Sequence, residues 1–230
     1  DVTPYLKVGE VNELAVRLEN ENESSRWYPG AGLYRNVHLV VTEDAYVPTW
    51  GTHVTTPVVK DKFAKVHLET QWNMPKGKKI SDYTIATQIL NPEGKQVNAD
   101  TRPGNELDET LFAQDFVVRN PKLWSVEYPH LYTAVSKIYE GDRLVDEYTT
   151  RFGIRTLEII PEKGFFLNGK LTKFQGVCNH HDLGPLGAAV NDAAIRRQIR
   201  IMKDMGVNAI RTSHNMPAPE LVAACDEMGM

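Results

Sequence analysis

Cysteine is scarce: Cys178 and Cys225 are the only two in 230 residues. Two are too few for a disulfide framework. Each falls where a small apolar residue would serve, one at a strand end and one on the apolar stripe of a helix, so both read as free thiols. No apolar run approaches the roughly 20 residues that cross a bilayer, and no membrane partner is expected. Basic runs are missing as well; with a formal net charge of −4, the chain offers no electrostatic footprint for nucleic acid. The start carries no leader pattern, an absence of little weight because the chain reads as opening inside a domain. What is present is 41% hydrophobic residues over 230 positions, enough material for more than one core.

The last third has the clearest organisation. Phe165-Phe166-Leu167, Asn168-Gly169 and Lys170-Leu171 predict a hairpin, because Asn-Gly supplies the positive backbone angles of a two-residue turn. Leu171 to Val177 reads as a strand running into Cys178-Asn179-His180-His181-Asp182. From Asp192, Ile195, Ile199 and Met202 recur at helical spacing, with Asn191 or Asp192 as N-cap and Gly206 as the stop. Val207 to Ile210 then reads as a short buried strand ending in Arg211-Thr212-Ser213-His214. A second helix follows, opened by Pro217 and Pro219, with Leu221, Val222, Cys225 and Met228 as its apolar stripe and Gly229 as its close.

Strand, polar cluster and helix, twice over, is the order of a parallel barrel or doubly wound sheet. In barrels the chemistry sits at the C-terminal ends of the strands, where His180, Asp182, Arg211 and His214 fall. A whole barrel takes about 250 residues, so this segment supplies two of eight units and the rest is expected beyond Met230. Two parallel strands with open edges also predict association or disorder after about Gly176, and homo-oligomerisation stays open.

Upstream the pattern is all β. Leu14, Val16 and Leu18 alternate with polar residues, as do Val37, Leu39 and Val41, which predicts a few strands between Val11 and Val47. Seven further strands are expected near Thr52–Val59, Ala64–Gln71, Tyr83–Leu90, Val97–Ala99, Thr110–Val118, Leu131–Ile138 and Leu144–Phe152, with tight turns at residues 92–95 and 140–142. Seven strands of this length fit an immunoglobulin-like sandwich. Trp124 and Tyr132, each beside a proline-stiffened corner, are expected to plug its core.

Asn208-Ala209-Ile210-Arg211-Thr212-Ser213-His214, followed by Cys225-Asp226-Glu227-Met228-Gly229, resembles the first sequence signature of family 2 of the glycoside hydrolases. That family includes β-galactosidases and β-glucuronidases. Gly176 through Asp182 resembles its first barrel strand, and residues 27–37, from Trp27 to Val37, resemble the segment that closes its N-terminal sugar-binding domain. The resemblance implies a mainly β chain in three parts. Residues 1–47 are the end of a jelly-roll sugar-binding domain, residues 48–155 an immunoglobulin-like sandwich, and residues 156–230 the first two β/α units of a TIM barrel. It implies a fragment of a retaining β-glycosidase, β-galactosidase first and β-glucuronidase as the alternative, with a carbohydrate substrate and no cofactor. His180 and Asp182 would hydrogen-bond substrate hydroxyls, Arg211 would pair with a nucleophilic glutamate outside this chain, and His214 would stand nearby. Asn36 departs from the family's aspartate in the Tyr-Arg-Asp-Val segment, and Asn215-Met216-Pro217 lengthens the loop after the signature histidine.

Blander readings compete. His180 and His181 are adjacent, so on a strand end they point to opposite sides, and only one faces a barrel mouth. His180 with Asp182 is the expected pair. Adjacent histidines do not match the alternating pair by which one strand end supplies two metal ligands, so no metal is expected. Arg211 could instead salt-bridge Asp226 or Glu227. No acid in the chain makes a credible pair for glycoside hydrolysis, which in retaining enzymes needs two carboxyl groups about 5 Å apart; the catalytic glutamates are expected beyond Met230. A reading from another class stays open: a non-catalytic module that binds carbohydrate through a surface aromatic platform, with Trp50, Trp72 and Trp124 as candidates.

Overall fold

A computed structural model of the protein describes residues 1–23, 32–108 and 110–230. The chain divides into two compact units, residues 1–36 and 37–230. Among the described residues of the first, the one regular piece is a 3-10 turn at Thr3–Tyr5. The Asn12 side chain brackets the next loop, accepting from the Lys7 N–H at 2.8 Å and donating to the Lys7 and Glu10 carbonyls. The strands expected between Val11 and Val47 do not form among the described residues; Tyr46 makes an isolated antiparallel bridge with Asn73. Leu14, Val16, Leu18, Val37, Leu39 and Val41 are all exposed. Alternation marks a strand, but a strand persists only where a neighbour takes its N–H and C=O groups, and here none does. Residues 27–31 of the predicted closing segment lie outside the described residues.

The second unit opens with seven strands: β1 (Thr52–Lys60), β2 (Phe63–Gln71), β3 (Tyr83–Leu90), β4 (Gln96–Pro103), β5 (Leu111–Arg119), β6 (Tyr132–Glu140) and β7 (Arg143–Phe152). They form two antiparallel sheets, β1-β2-β5 and β4-β3-β6-β7. Strict alternation is the reason. Ala64, Val66 and Leu68 of β2, Phe112, Phe116 and Val118 of β5, Tyr83, Ile85 and Ile89 of β3, and Tyr132, Ala134 and Ile138 of β6 are all buried. Each large side chain contributes about 1.5–3 kcal/mol by leaving water. One layer of the core is polar: Thr87 Oγ donates to Gln114 Oε1 at 2.7 Å and lies 3.0 Å from Ser136 Oγ. This belt separates two apolar clusters, one around Leu68, Phe116 and Tyr132 and one around Trp72, Ile85 and Ile138.

A short meander follows, β8 (Leu157–Ile160), β9 (Gly164–Leu167) and β10 (Lys170–Leu171), paired in that order. Asn168 and Gly169 turn the last hairpin with φ of 52° and 75°, as the Asn-Gly pair predicts. The expected strand from Leu171 to Val177 is broken: pairing stops at Leu171 and resumes only in β11 (Gly176–Asn179). Between them Asn208 holds the backbone, its side chain accepting from Gln175 N–H and donating to the Lys173 carbonyl while its own N–H donates to the Gln175 carbonyl at 2.9 Å.

After β11 come α1 (Asp192–Asp204), β12 (Ala209–Thr212) and α2 (Pro219–Met228). Asn191 caps α1 by accepting from the Ala194 N–H, and Gly206, at φ 87°, turns the chain out of it. Ile195 and Ile199 meet Ala224 in a third cluster with Ile210. In α2 the stripe is centred on Ala224 and Val222 is exposed, because the helix packs through its Leu221–Ala224–Cys225–Met228 side. Both helices bury their stripes in this cluster beside β12.

Candidate functional site

β11 and β12 run parallel and in register, Gly176 opposite Ala209 and Asn179 opposite Thr212. Gly176 permits this approach: a Cβ there would stand 2.6 Å from the Ala209 carbonyl oxygen. The ladder extends one step further, where the Ser213 N–H donates to the Asn179 carbonyl at 2.9 Å. Both strands therefore end at one level, and their polar clusters leave from neighbouring points.

Alternation then sorts the side chains. Val177, Asn179, Ile210 and Thr212 are half-buried, whereas Cys178 and Arg211 are exposed. Ile210 packs into the helical cluster, so the exposed pair occupies the opposite face. Arg211 Nη1 lies 3.7 Å from Cys178 Sγ and 3.4 Å from Ser213 Oγ. Past the strand ends, the His180 and His214 rings approach to 6.2 Å between centroids, edge to face. His180 is exposed and His181 half-buried. Asp182 follows two residues on, its carbonyl accepting from Gln198 Nε2 at 3.5 Å.

Of the four expected residues, the fold brings His180 and His214 together and places Arg211 on the strand that leads to them. Asp182 shares the His180 loop. Three contributors escape sequence reasoning. Cys178 lies directly across from Arg211, Ser213 is buried beneath the Arg211 guanidinium, and Gln198 of α1 meets the Asn179 side chain at 3.1 Å. Period-two spacing back from His180 would have found Cys178; nothing local marks Gln198. Cys178 and Arg211 also line a cavity of about 630 Å³ with Trp124, Phe165, Phe174 and Met230.

One alternative partner for Arg211 is engaged elsewhere. Glu227 is held by Arg151 of β7 and by Arg196 of α1, the latter at 2.7 Å. Burial pushes its carboxyl up, but hydrogen bonds from Arg196 and Arg151 outweigh this and hold it below the usual range. Burial raises the Asp226 carboxyl, against the attraction of Arg155 and Arg151. Among the described residues Arg211 makes no ion pair, and no group of three or more His, Cys, Asp or Glu is placed to hold a metal ion. A guanidinium, two imidazoles and a carboxylate near the ends of these two strands supply hydrogen-bond donors and acceptors.

Comparison with known proteins narrows the meaning of this arrangement. A family model described as "Glycosyl hydrolases family 2" matches residues 46–155, and one described as "Glycosyl hydrolases family 2, TIM barrel domain" matches residues 159–230. Beta-galactosidase BoGH2A of Bacteroides ovatus is 48% identical over an alignment that spans 100% of this chain and 27% of that protein. A putative beta-glucuronidase of Formosa agariphila is 36% identical, over 100% of this chain and 22% of its own length. The crystal structure of a glycosyl hydrolase family 2 member from Bacteroides cellulosilyticus DSM 14838 superposes with a TM-score of 0.90 at 38% identity, covering 100% of this chain and 32% of that one. The chain spans between 22% and 35% of the length of such curated relatives.

Proposed function

Because the chain belongs to glycosyl hydrolase family 2, we propose that it supplies sugar-binding strand ends, and not the catalytic carboxylates, of a retaining β-galactosidase acting on terminal β-linked galactose in oligosaccharides or glycans. The observation that carries this reading is the 48% identity, along the whole chain, to a protein named a beta-galactosidase. The strand-end cluster supports it. His180, Asp182, Arg211 and His214 leave two adjacent parallel strands at their C-terminal ends, where barrel enzymes keep their substrates. In this reading residues 1–47 close a sugar-binding jelly roll, residues 48–155 are the sandwich, and residues 156–230 begin the barrel.

Buried hydrogen-bonding groups select a sugar by its hydroxyl pattern, because an epimer leaves some of them unpaired at about 1–3 kcal/mol each. The acid and nucleophile of a retaining enzyme stand about 5 Å apart. Glu227 is committed to two arginines and Asp226, in the last turn of α2, is half-buried, so this reading assigns both catalytic carboxylates outside residues 1–230.

β-Glucuronidase is the second reading, favoured by the 36% identity to a protein named as one and by Asn36, which departs from the aspartate of the galactosidase pattern. The binding-module reading loses support: Trp72 and Trp124 are buried and Trp50 is the exposed candidate, so these three form no aromatic platform. Hydrolysis of nitrophenyl β-galactoside and β-glucuronide by the whole polypeptide discriminates the first two. The galactoside is expected to give the larger kcat/KM by about a hundredfold or more; equal or reversed preference would reject the β-galactosidase reading.

A further inference from the structure

The end of α2 is fastened to the sandwich by an unusually dense set of contacts, centred on Trp124-Ser125-Val126 between β5 and β6. The Trp124 N–H donates to the Ile154 carbonyl at 2.9 Å, and its own carbonyl accepts from Asn168 Nδ2 at 2.9 Å. Its indole N–H donates to the Asp226 carbonyl at 2.7 Å, while the Arg155 guanidinium lies over its ring at 4.9 Å. Lys203 of α1 donates to the carbonyls of both Val126 and Gly229, at 3.0 and 2.7 Å. Two glycines make room: a Cβ at Gly153 would stand 2.7 Å from Trp124 Cβ, and one at Gly229 would overlap the Val126 carbonyl. Glu227 then takes Arg151 from the sandwich and Arg196 from α1.

Local rules do not explain this end of the helix. Asp226 and Glu227 place two acids in a last turn that carries no basic residue, where the helix dipole favours cations. A local rule broken at one place points to a role set by the larger structure. That role follows from what α2 supports. β12 is four residues long and among the described residues pairs only with β11, so its position depends on the helical cluster that Ile210 shares with Leu221, Ala224 and Cys225.

We propose that Glu227, Arg151 and Trp124 are positioning residues: they fix α2 on the sandwich, and α2 in turn fixes where β12 delivers Arg211 and His214. The inference deepens the sugar-site reading and rests on it for its purpose, but its test involves no substrate. Imidazole resonances are recorded for the 230-residue chain and for Glu227→Gln, Arg151→Ala and Trp124→Phe, with amide exchange by mass spectrometry.

The expected result is that the His180 and His214 resonances shift in all three variants, while those of His53 and His67 on the far sheet stay. Exchange across residues 209–214 and 219–228 rises roughly tenfold, as for loss of a contact network of this size. Unmoved His180 and His214 signals in folded variants would overturn the proposal. So would collapse of the sandwich resonances in all three, which would make these contacts matters of global stability. A failed galactosidase assay leaves this result untouched, so the two claims fail separately.

Discussion

Trp50 occupies a position that favours glycine. In the turn Pro48-Thr49-Trp50-Gly51, closed by the Gly51 N–H on the Pro48 carbonyl at 2.8 Å, Trp50 has φ 60° and a largely exposed side chain. Left-handed backbone costs an L-residue about 1–2 kcal/mol, part of which a glycine would return through the unfolded chain. Its N–H, which donates to the Tyr148 hydroxyl at 2.9 Å, survives substitution. Trp50→Gly is expected to raise Tm by about 1–3 °C in a thermal melt; a lower Tm would show that the indole contributes packing its exposure does not reveal. The acids at the end of α2 make a second prediction, with opposite signs. Glu227 is depressed below its ordinary value, so its contribution is present above that ordinary value and is lost as pH falls through its folded pKa. Asp226 is raised above its ordinary value, so its ionisation costs the folded state, and that cost grows as pH rises through the raised pKa. In melts from pH 3 to 8, Glu227→Gln is expected to be less stable than wild type at neutral pH and Asp226→Asn more stable, both differences shrinking in acid. A destabilised Asp226→Asn at pH 7 would contradict the assignment.

At the scale of elements, the seven sandwich strands, both helices and the Asn-Gly hairpin were legible because each has a local cause: alternation, 3.6-residue spacing, a cap, a turn residue. Strand ends differed by a few residues, most at β4, predicted as Val97–Ala99 and found as Gln96–Pro103; a half-exposed edge strand has little alternation to read. The strands expected before Val47 failed for the converse reason. Their pattern is present and their partners are not, and pairing is not a local property. Val222 was misplaced because a ten-residue helix with flanking apolar residues allows more than one stripe. The cap of α1 gives this scale its own test. Asn191 satisfies the Ala194 N–H at 3.0 Å, so Asn191→Ala is expected to cost about 1 kcal/mol in urea unfolding, with an unchanged m-value. No loss would mean that the helix end is satisfied by another group.

For the whole molecule, the candidate site was legible as residue types at strand ends, since the order of elements alone places such residues at one end of a parallel pair. Its interior was not. The contact of Gln198 with Asn179, the placement of Cys178 across from Arg211, and the fastening of α2 by Trp124 and Arg151 join residues from 19 to 102 positions apart, and no periodicity encodes such pairs. The same long-range contacts hold the acid at the end of α2. Glu227 is paired with Arg151 of the sandwich and Arg196 of α1, so in the proposed reading a carboxylate that attacks or protonates a glycoside comes from elsewhere. The direct test is hydrolysis of nitrophenyl β-galactoside by the 230-residue chain beside the whole polypeptide. The account predicts turnover by the whole polypeptide and none by the chain alone. Turnover by the chain, abolished in Asp182→Asn or Glu227→Gln, would contradict it and place the catalytic acids within these residues.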